Sequence, residues 1–236
     1  MEITIIIQTI NKTMEFINKA TKFNVSVLKQ NLLHQRITRE RFKFPLTEEQ
    51  AEDVLMAAYQ AEVEFRHRVF EDDEPTKENI KKIAKYLTND NQKFGMMFLG
   101  LCGNGKTTML YAFQQSINYL NRKNLFEDAS KVGIQIIDAK DVAAMAKDIK
   151  EFRTLKNRDM LAIEDMGREP TEVLDYGNIL NPVIDLIEYR YDAQLFTVIT
   201  TNLNKKEIRA KYGARVADRF NEMLECIVFK NETYRK

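Results

Sequence analysis

Between residues 100 and 108 the chain reads Gly100-Leu101-Cys102-Gly103-Asn104-Gly105-Lys106-Thr107-Thr108, a Gly-x4-Gly-Lys-Thr pattern. Small residues at this spacing let backbone N–H groups approach phosphate oxygens without interference from a Cβ. A helix starting near Lys106 would turn its positive end to the same phosphates. Lys106 is then expected to neutralise the β- and γ-phosphates of a nucleoside triphosphate, and the Thr107 hydroxyl to ligate Mg²⁺. Cys102, inside the loop, reads as a small filler residue rather than a redox switch, although a thiol beside a helix N-terminus can be unusually acidic.

Phosphate chemistry also needs carboxylates. Leu161-Ala162-Ile163-Glu164-Asp165 supplies two at the end of an apolar run. Glu164 is expected to face the Mg²⁺ shell and Asp165 the γ-phosphate, where a base can activate water. The longer Glu164 side chain at the metal side leaves two arrangements open. It can act through water, or Asp165 can take the metal and leave no dedicated base, which would make hydrolysis slow. A later apolar run, Leu195 to Thr200, ends in Thr200-Thr201-Asn202. Asn202 there could hydrogen-bond a γ-phosphate oxygen or the attacking water.

These groups need a scaffold, and the sequence describes one. Apolar runs at Phe94–Leu99, Val132–Ile137, Met160–Ile163, Leu195–Thr200 and Cys226–Phe229 predict five strands. Helices are expected at Thr107–Tyr119, Asp141–Lys150, from Asn181-Pro182 to Tyr189, and from Asn204 to a C-cap at Gly213. Strands alternating with helices predict an α/β fold with a mainly parallel sheet covered on both faces. Upstream, Thr47 with Gln50 forms a capping-box signal, and Thr76 could cap a second helix through Tyr86. Residues 1–45 carry eight Lys or Arg against three Glu, whereas residues 46–75 end in Glu71-Asp72-Asp73-Glu74-Pro75. This contrast predicts a small helical module over residues 1–75, followed by a nucleotide-binding domain over 76–236.

The 236 residues carry a net charge of +1. Global charge therefore announces neither a nucleic-acid nor a membrane partner. No apolar stretch is long enough to span a bilayer. The opening Met1–Ile7 lacks the basic start and cleavage site of a secretory signal, and reads as a packing segment. Two distant cysteines fit reduced thiols in a cytoplasmic protein. His34 and His67 lack metal-ligand spacing.

The ordered set resembles the DnaC/DnaI/IstB group of AAA+ ATPases. It comprises the phosphate loop, the acid pair followed by Met166-Gly167, Thr200-Thr201-Asn202-Leu203, Tyr212-Gly213-Ala214-Arg215-Val216-Ala217-Asp218-Arg219-Phe220 and the closing Glu232-Thr233-Tyr234-Arg235-Lys236. The resemblance covers roughly residues 90–236. It implies an AAA+ P-loop core without a C-terminal lid, ATP and Mg²⁺ as ligands, Lys106 and Thr107 as Walker A, Glu164 and Asp165 as Walker B, and Asn202 as sensor 1. Arg219, with Arg215 as runner-up, matches the arginine finger that reaches a neighbouring subunit, so an ATP-dependent homo-oligomer is implied. Arg235 is a weak candidate for a sensor arginine.

By the same resemblance the chain would load a DnaB-type replicative helicase onto single-stranded DNA, gripping the helicase through its N-terminal module. Lys147, Lys150, Arg153 and Lys156 are candidate DNA contacts, with Phe152 available for stacking, or simply a solvated helix face. The alternatives are an IstB-like transposition helper, a small-molecule phosphotransferase, and an ATP-binding adaptor that does not hydrolyse.

Overall fold

A computed structural model describes residues 24–35, 40–128, 132–175 and 177–234. The chain divides into two compact units, Met1–Glu40 and Arg41–Lys236. In the first, helix α1 (Val25–Gln35) is capped by Asn24, whose Oδ1 accepts from Ser26 N and Val27 N at 3.0 and 3.2 Å. Val25, Leu28, Leu32 and Leu33 on α1 are exposed. Met1–Ile7, Arg36, Arg39 and Arg235 lie outside the described residues.

The second unit contains a five-stranded parallel sheet. Its strands are β1 (Gly95–Gly100), β2 (Ile134–Asp138), β3 (Met160–Met166), β6 (Phe196–Thr201) and β7 (Glu225–Phe229), in the order β2-β3-β6-β1-β7. All five correspond to the predicted runs, shifted by a few residues at their ends. Strands buried on both faces need no polar alternation, which is why they read as continuous apolar runs. Their side chains alternate between two cores. Met96, Phe98, Ala162 and Val198 face α2 (Glu48–Phe65), α3 (Glu74–Thr88) and α4 (Lys106–Arg122). Met97, Leu99, Leu161, Ile163 and Ile199 face α5 (Ala139–Met145), α7 (Pro182–Asp192) and α8 (Lys205–Met223). Phe98 is fully buried, and truncating such a residue to Ala costs about 3–5 kcal/mol.

Local signals set most helix starts. Thr47 and Gln50 form the expected capping box on α2, and Asn204 with Glu207 forms one on α8. At α3 the cap is Asp73 rather than Thr76. Its Oδ1 accepts from Thr76 N at 2.8 Å, and Pro75 occupies the first turn, where its missing N–H costs nothing. The helix expected over 141–150 is two helices, α5 and α6 (Ile149–Lys156), because Asp148 turns its carboxylate onto Lys150 N and Glu151 N and starts a new one. Gly213, with φ 85 and ψ 166, breaks α8 where a C-cap was expected, and a second half-helix continues to Met223. A hairpin of β4 (Val173–Asp175) and β5 (Asn178–Leu180) was not anticipated. Its strands are three residues each, too short to show a period.

The boundary expected at residue 75 moves to Arg41. Ala51, Leu55 and Tyr59 of α2 are buried in the same core as Met109, Leu110 and Phe113 of α4. Phe42 and Phe44 join them, Phe44 stacking on Phe113 with centroids 5.9 Å apart. Residues 41–75 are thus part of the unit that contains the five-stranded sheet, a union that depends on tertiary contacts and has no local signature.

A candidate nucleotide-binding site

β1 delivers the chain into the glycine loop at the carboxyl edge of the sheet. Gly100, Gly103 and Gly105 have φ of 151, 85 and 93. A Cβ at Gly100 would come within 2.2 Å of Asn104 Nδ2, and one at Gly105 within 2.5 Å of the Tyr59 hydroxyl. These two glycines are required by close approach as well as by backbone conformation. Gly105 is the N-cap of α4 and supplies no capping side chain, so the positive end of the helix opens on the loop. Asn104 is buried and donates to Phe229 O at 2.8 Å, fixing the loop to the end of β7. The Lys106 ammonium donates to Gly100 O at 2.6 Å, Leu101 O at 2.7 Å and Asn104 Oδ1 at 3.0 Å.

A cavity of about 480 Å³ lies over this loop. Its walls bring together Cys102 to Thr108, Asp165 and Asn202, groups separated by up to 100 residues in sequence. The topology explains the convergence. Inserting β6 between β1 and β3 sets Asn202 between the loop and the acids, all at the carboxyl ends of parallel strands.

The two acids point differently. Asp165 is on the cavity wall, with φ 54, where its N–H donates to Thr200 Oγ1 at 2.9 Å. This left-handed residue coincides with the register shift between Ile163 and Met166. Thr201 Oγ1 donates to Met166 O at 2.6 Å, so the Thr-Thr pair holds the bulge that turns Asp165 outward. Glu164 lies beside the Tyr111 phenol. Burial first, and then the Glu164 charge, raises the Tyr111 pKa. Tyr111 is one helical turn beyond Thr107 on α4, so Glu164 neighbours the helix face that carries Thr107. Arg168 Nη1 contacts Asp165 Oδ2 at 2.5 Å.

Several wall residues have no signal in the sequence, and Tyr234 was visible only as part of the closing motif. Tyr59, Val63 and Phe70 form an apolar side of the cavity, with Arg66 and Arg68 near them. Tyr234 closes another side. Its N–H donates to Gly103 O at 3.0 Å and its hydroxyl bonds to Asp73, with Thr76 and Asn231 adjacent. Burial and the Asp73 hydrogen bond push the Tyr234 phenol up to about 12. Reading this cluster needed the fold, because Asp73 and Tyr234 are 161 positions apart.

The two candidate arginines differ sharply. Arg219 Nη1 is 3.0 Å from Glu188 Oε1 and Nη2 is 3.6 Å from Asp192 Oδ1, with its guanidinium 4.9 Å from the Tyr191 ring centroid. Its side chain is 11% exposed, whereas that of Arg215 is 72% exposed with Nε 3.1 Å from Glu188 Oε1. Of the basic residues considered for DNA, Lys147, Lys150 and Arg153 are exposed around the α5–α6 break. Phe152, offered as a stacking group, is half-buried. It packs against the core, and Lys156 Nζ covers its ring at 4.6 Å.

No helix among the described residues is long and apolar enough to cross a membrane. No protein-family model matches the chain, and no curated protein matches it by sequence. Solved structures do match. The chain is similar to the DnaC helicase loader, at 24% identity and a TM-score of 0.52, over 69% of this chain and 94% of that one. It is similar to DnaI at 20% identity and a TM-score of 0.52, over 71% of this chain and 88% of that one. The fold is therefore the AAA+ P-loop core in the form seen in those two proteins.

Proposed function

We propose that this chain binds and hydrolyses ATP and that it loads a DnaB-type replicative helicase onto single-stranded DNA. The observation that carries the ATP reading is the shared cavity wall. The Gly103–Thr108 loop, Asp165 and Asn202 line one space, which supports a common site for a triphosphate. The loading role is supported by a fold shared with the DnaC helicase loader.

The loop amides and Lys106 hold the β- and γ-phosphates. The Thr107 hydroxyl and the Glu164 carboxylate, the latter through water, suit Mg²⁺. Hydroxyl and carboxylate oxygens are its preferred donors, and both groups border the first turns of α4. When bound, Mg²⁺ would offset charge on the phosphate oxygens. Asp165 accepts a proton from the water that attacks the γ-phosphorus, ADP departs, and Asn202 orients the water. Arg168, paired with Asp165, competes for that carboxylate and keeps basal turnover slow.

Arg215 serves as the finger supplied to a neighbouring subunit, since its guanidinium reaches solvent, and Arg219 braces α8 against α7. A finger acting in trans makes hydrolysis depend on a head-to-tail homo-oligomer. The helicase contact is assigned to residues before Arg41, supported by the exposed Leu28, Leu32 and Leu33 of α1. Lys147, Lys150 and Arg153 are assigned to single-stranded DNA.

The test is reconstitution with the replicative helicase of the same cell. ATP-dependent transfer of helicase onto single-stranded DNA is expected. Capture of a transposase in place of helicase would favour the transposition-helper reading, and turnover by monomers that requires a small acceptor would favour a phosphotransferase.

A further inference from the structure

Glu169 has no part in the chemistry above, yet its side chain is fully buried. It lies four residues after Asp165, in the turn leaving β3. Its Oε2 accepts from Gly167 N at 2.8 Å, and its Oε1 accepts from the Tyr212 hydroxyl. Lys211 adds a second strut. Its Nζ donates to Gly167 O and to Glu169 O, each at 2.7 Å, and stands 3.7 Å from Glu169 Oε1. Gly167 itself has φ 113, and a Cβ there would lie 2.8 Å from the Leu203 side chain, so the turn is pressed against the start of the Asn202 loop.

Lys211 and Tyr212 are the last residues before the Gly213 break in α8. Beyond that break the half-helix carries Arg215 and Arg219. The turn that follows Asp165 and the helix end that leads into the Gly213 break therefore share one buried carboxylate. Burial, and then the Glu169 hydrogen bond, raise the Tyr212 pKa far above its usual range, which keeps the phenol a donor.

We infer that Glu169, with Lys211 and Tyr212, is a positioning cluster that links the Asp165 turn to the Gly213 hinge, so that nucleotide bound by one subunit fixes the arginine half-helix that subunit presents to the next. This inference rests on the ATPase reading for its consequence in turnover, but its structural part can be measured without turnover. A buried carboxylate serving only stability would lower the melting temperature of variants and leave a correctly folded variant fully coupled.

The experiment compares the full-length wild type with Tyr212→Phe, which removes one hydroxyl and keeps the ring. Hydrogen exchange is followed at residues 165–170 and 213–219 with and without ATPγS and Mg²⁺, alongside nucleotide affinity and phosphate release. In the wild type both segments are expected to gain protection together. In Tyr212→Phe, 165–170 should still gain protection while 213–219 does not, nucleotide Kd should stay within about twofold, and kcat should fall about tenfold, within what a small misplacement of reacting groups costs. Lys211→Met is expected to behave the same way, and it carries the comparison if a melt shows Tyr212→Phe unfolded. Absence of nucleotide-dependent protection at 213–219 in the wild type, or its persistence in the variants, overturns the inference. If the wild type releases no phosphate but the variants still uncouple the two segments, the positioning cluster stands and the hydrolysis reading falls.

Discussion

Arg219 and Glu188 are tied together within one subunit, Nη1 to Oε1 at 3.0 Å, while Arg215 touches the same carboxylate from solvent. The sequence pattern pointed to Arg219 as the finger, but a finger must be free to leave its own subunit. Arg219→Ala is therefore expected to lower the melting temperature, because it removes the better-shielded of the two cations on Glu188 together with the guanidinium packed on the Tyr191 ring, at a cost of about 1–2 kcal/mol. Arg215→Ala should leave the melt unchanged and reduce phosphate release about 1,000-fold in concentrated protein, at the low end of what an arginine finger contributes. Melts and phosphate release on both variants decide the assignment, and the opposite pattern returns the finger role to Arg219.

The Arg168–Asp165 pair supports a second expectation. If Asp165 is the proton acceptor, a guanidinium 2.5 Å from Oδ2 competes with water for it. Arg168→Ala is expected to raise the basal hydrolysis rate severalfold without tightening nucleotide binding. A lower rate would mean that Arg168 itself contacts phosphate.

Asp73 does two jobs at once. It caps α3 through Thr76 N, and it anchors Asn231 and Tyr234 over the glycine loop. Loss of a cap alone costs about 1 kcal/mol, and loss of the charge-assisted hydrogen bonds to Asn231 and Tyr234 adds about 1–2 kcal/mol. In urea titrations Asp73→Ala should destabilise clearly more than Asp148→Ala, which removes a cap only. Asp73→Ala should also weaken nucleotide binding, since Tyr234 is a cavity wall. Equal effects of the two substitutions would show that the tail contributes nothing.

How far the sequence could be read depended on the range of each cause. The glycine loop, the five apolar strands and the capping boxes at Thr47 and Asn204 are set within a few residues, and their signals are local. The acid pair was visible as chemistry, but the outward turn of Asp165 depends on Thr200, 35 positions away. Residues 41–75 read as a separate module because nothing local shows that Phe44 and Tyr59 complete the core and the cavity. The break at Asp148 was hidden by a helical pattern in which its capping role competed unseen. Glu169 carries no local signal, and only the fold reveals its partners Lys211 and Tyr212.

The central claim is that the cavity over Gly103–Thr108 hydrolyses ATP and is completed by a neighbouring subunit. Its most direct test is phosphate release per subunit, measured across protein concentration at saturating ATP and Mg²⁺ with single-stranded DNA, for wild type and Lys106→Ala. The account predicts a wild-type rate that rises with protein concentration and is abolished by Lys106→Ala. A rate that is independent of concentration, or that survives loss of Lys106, would contradict it.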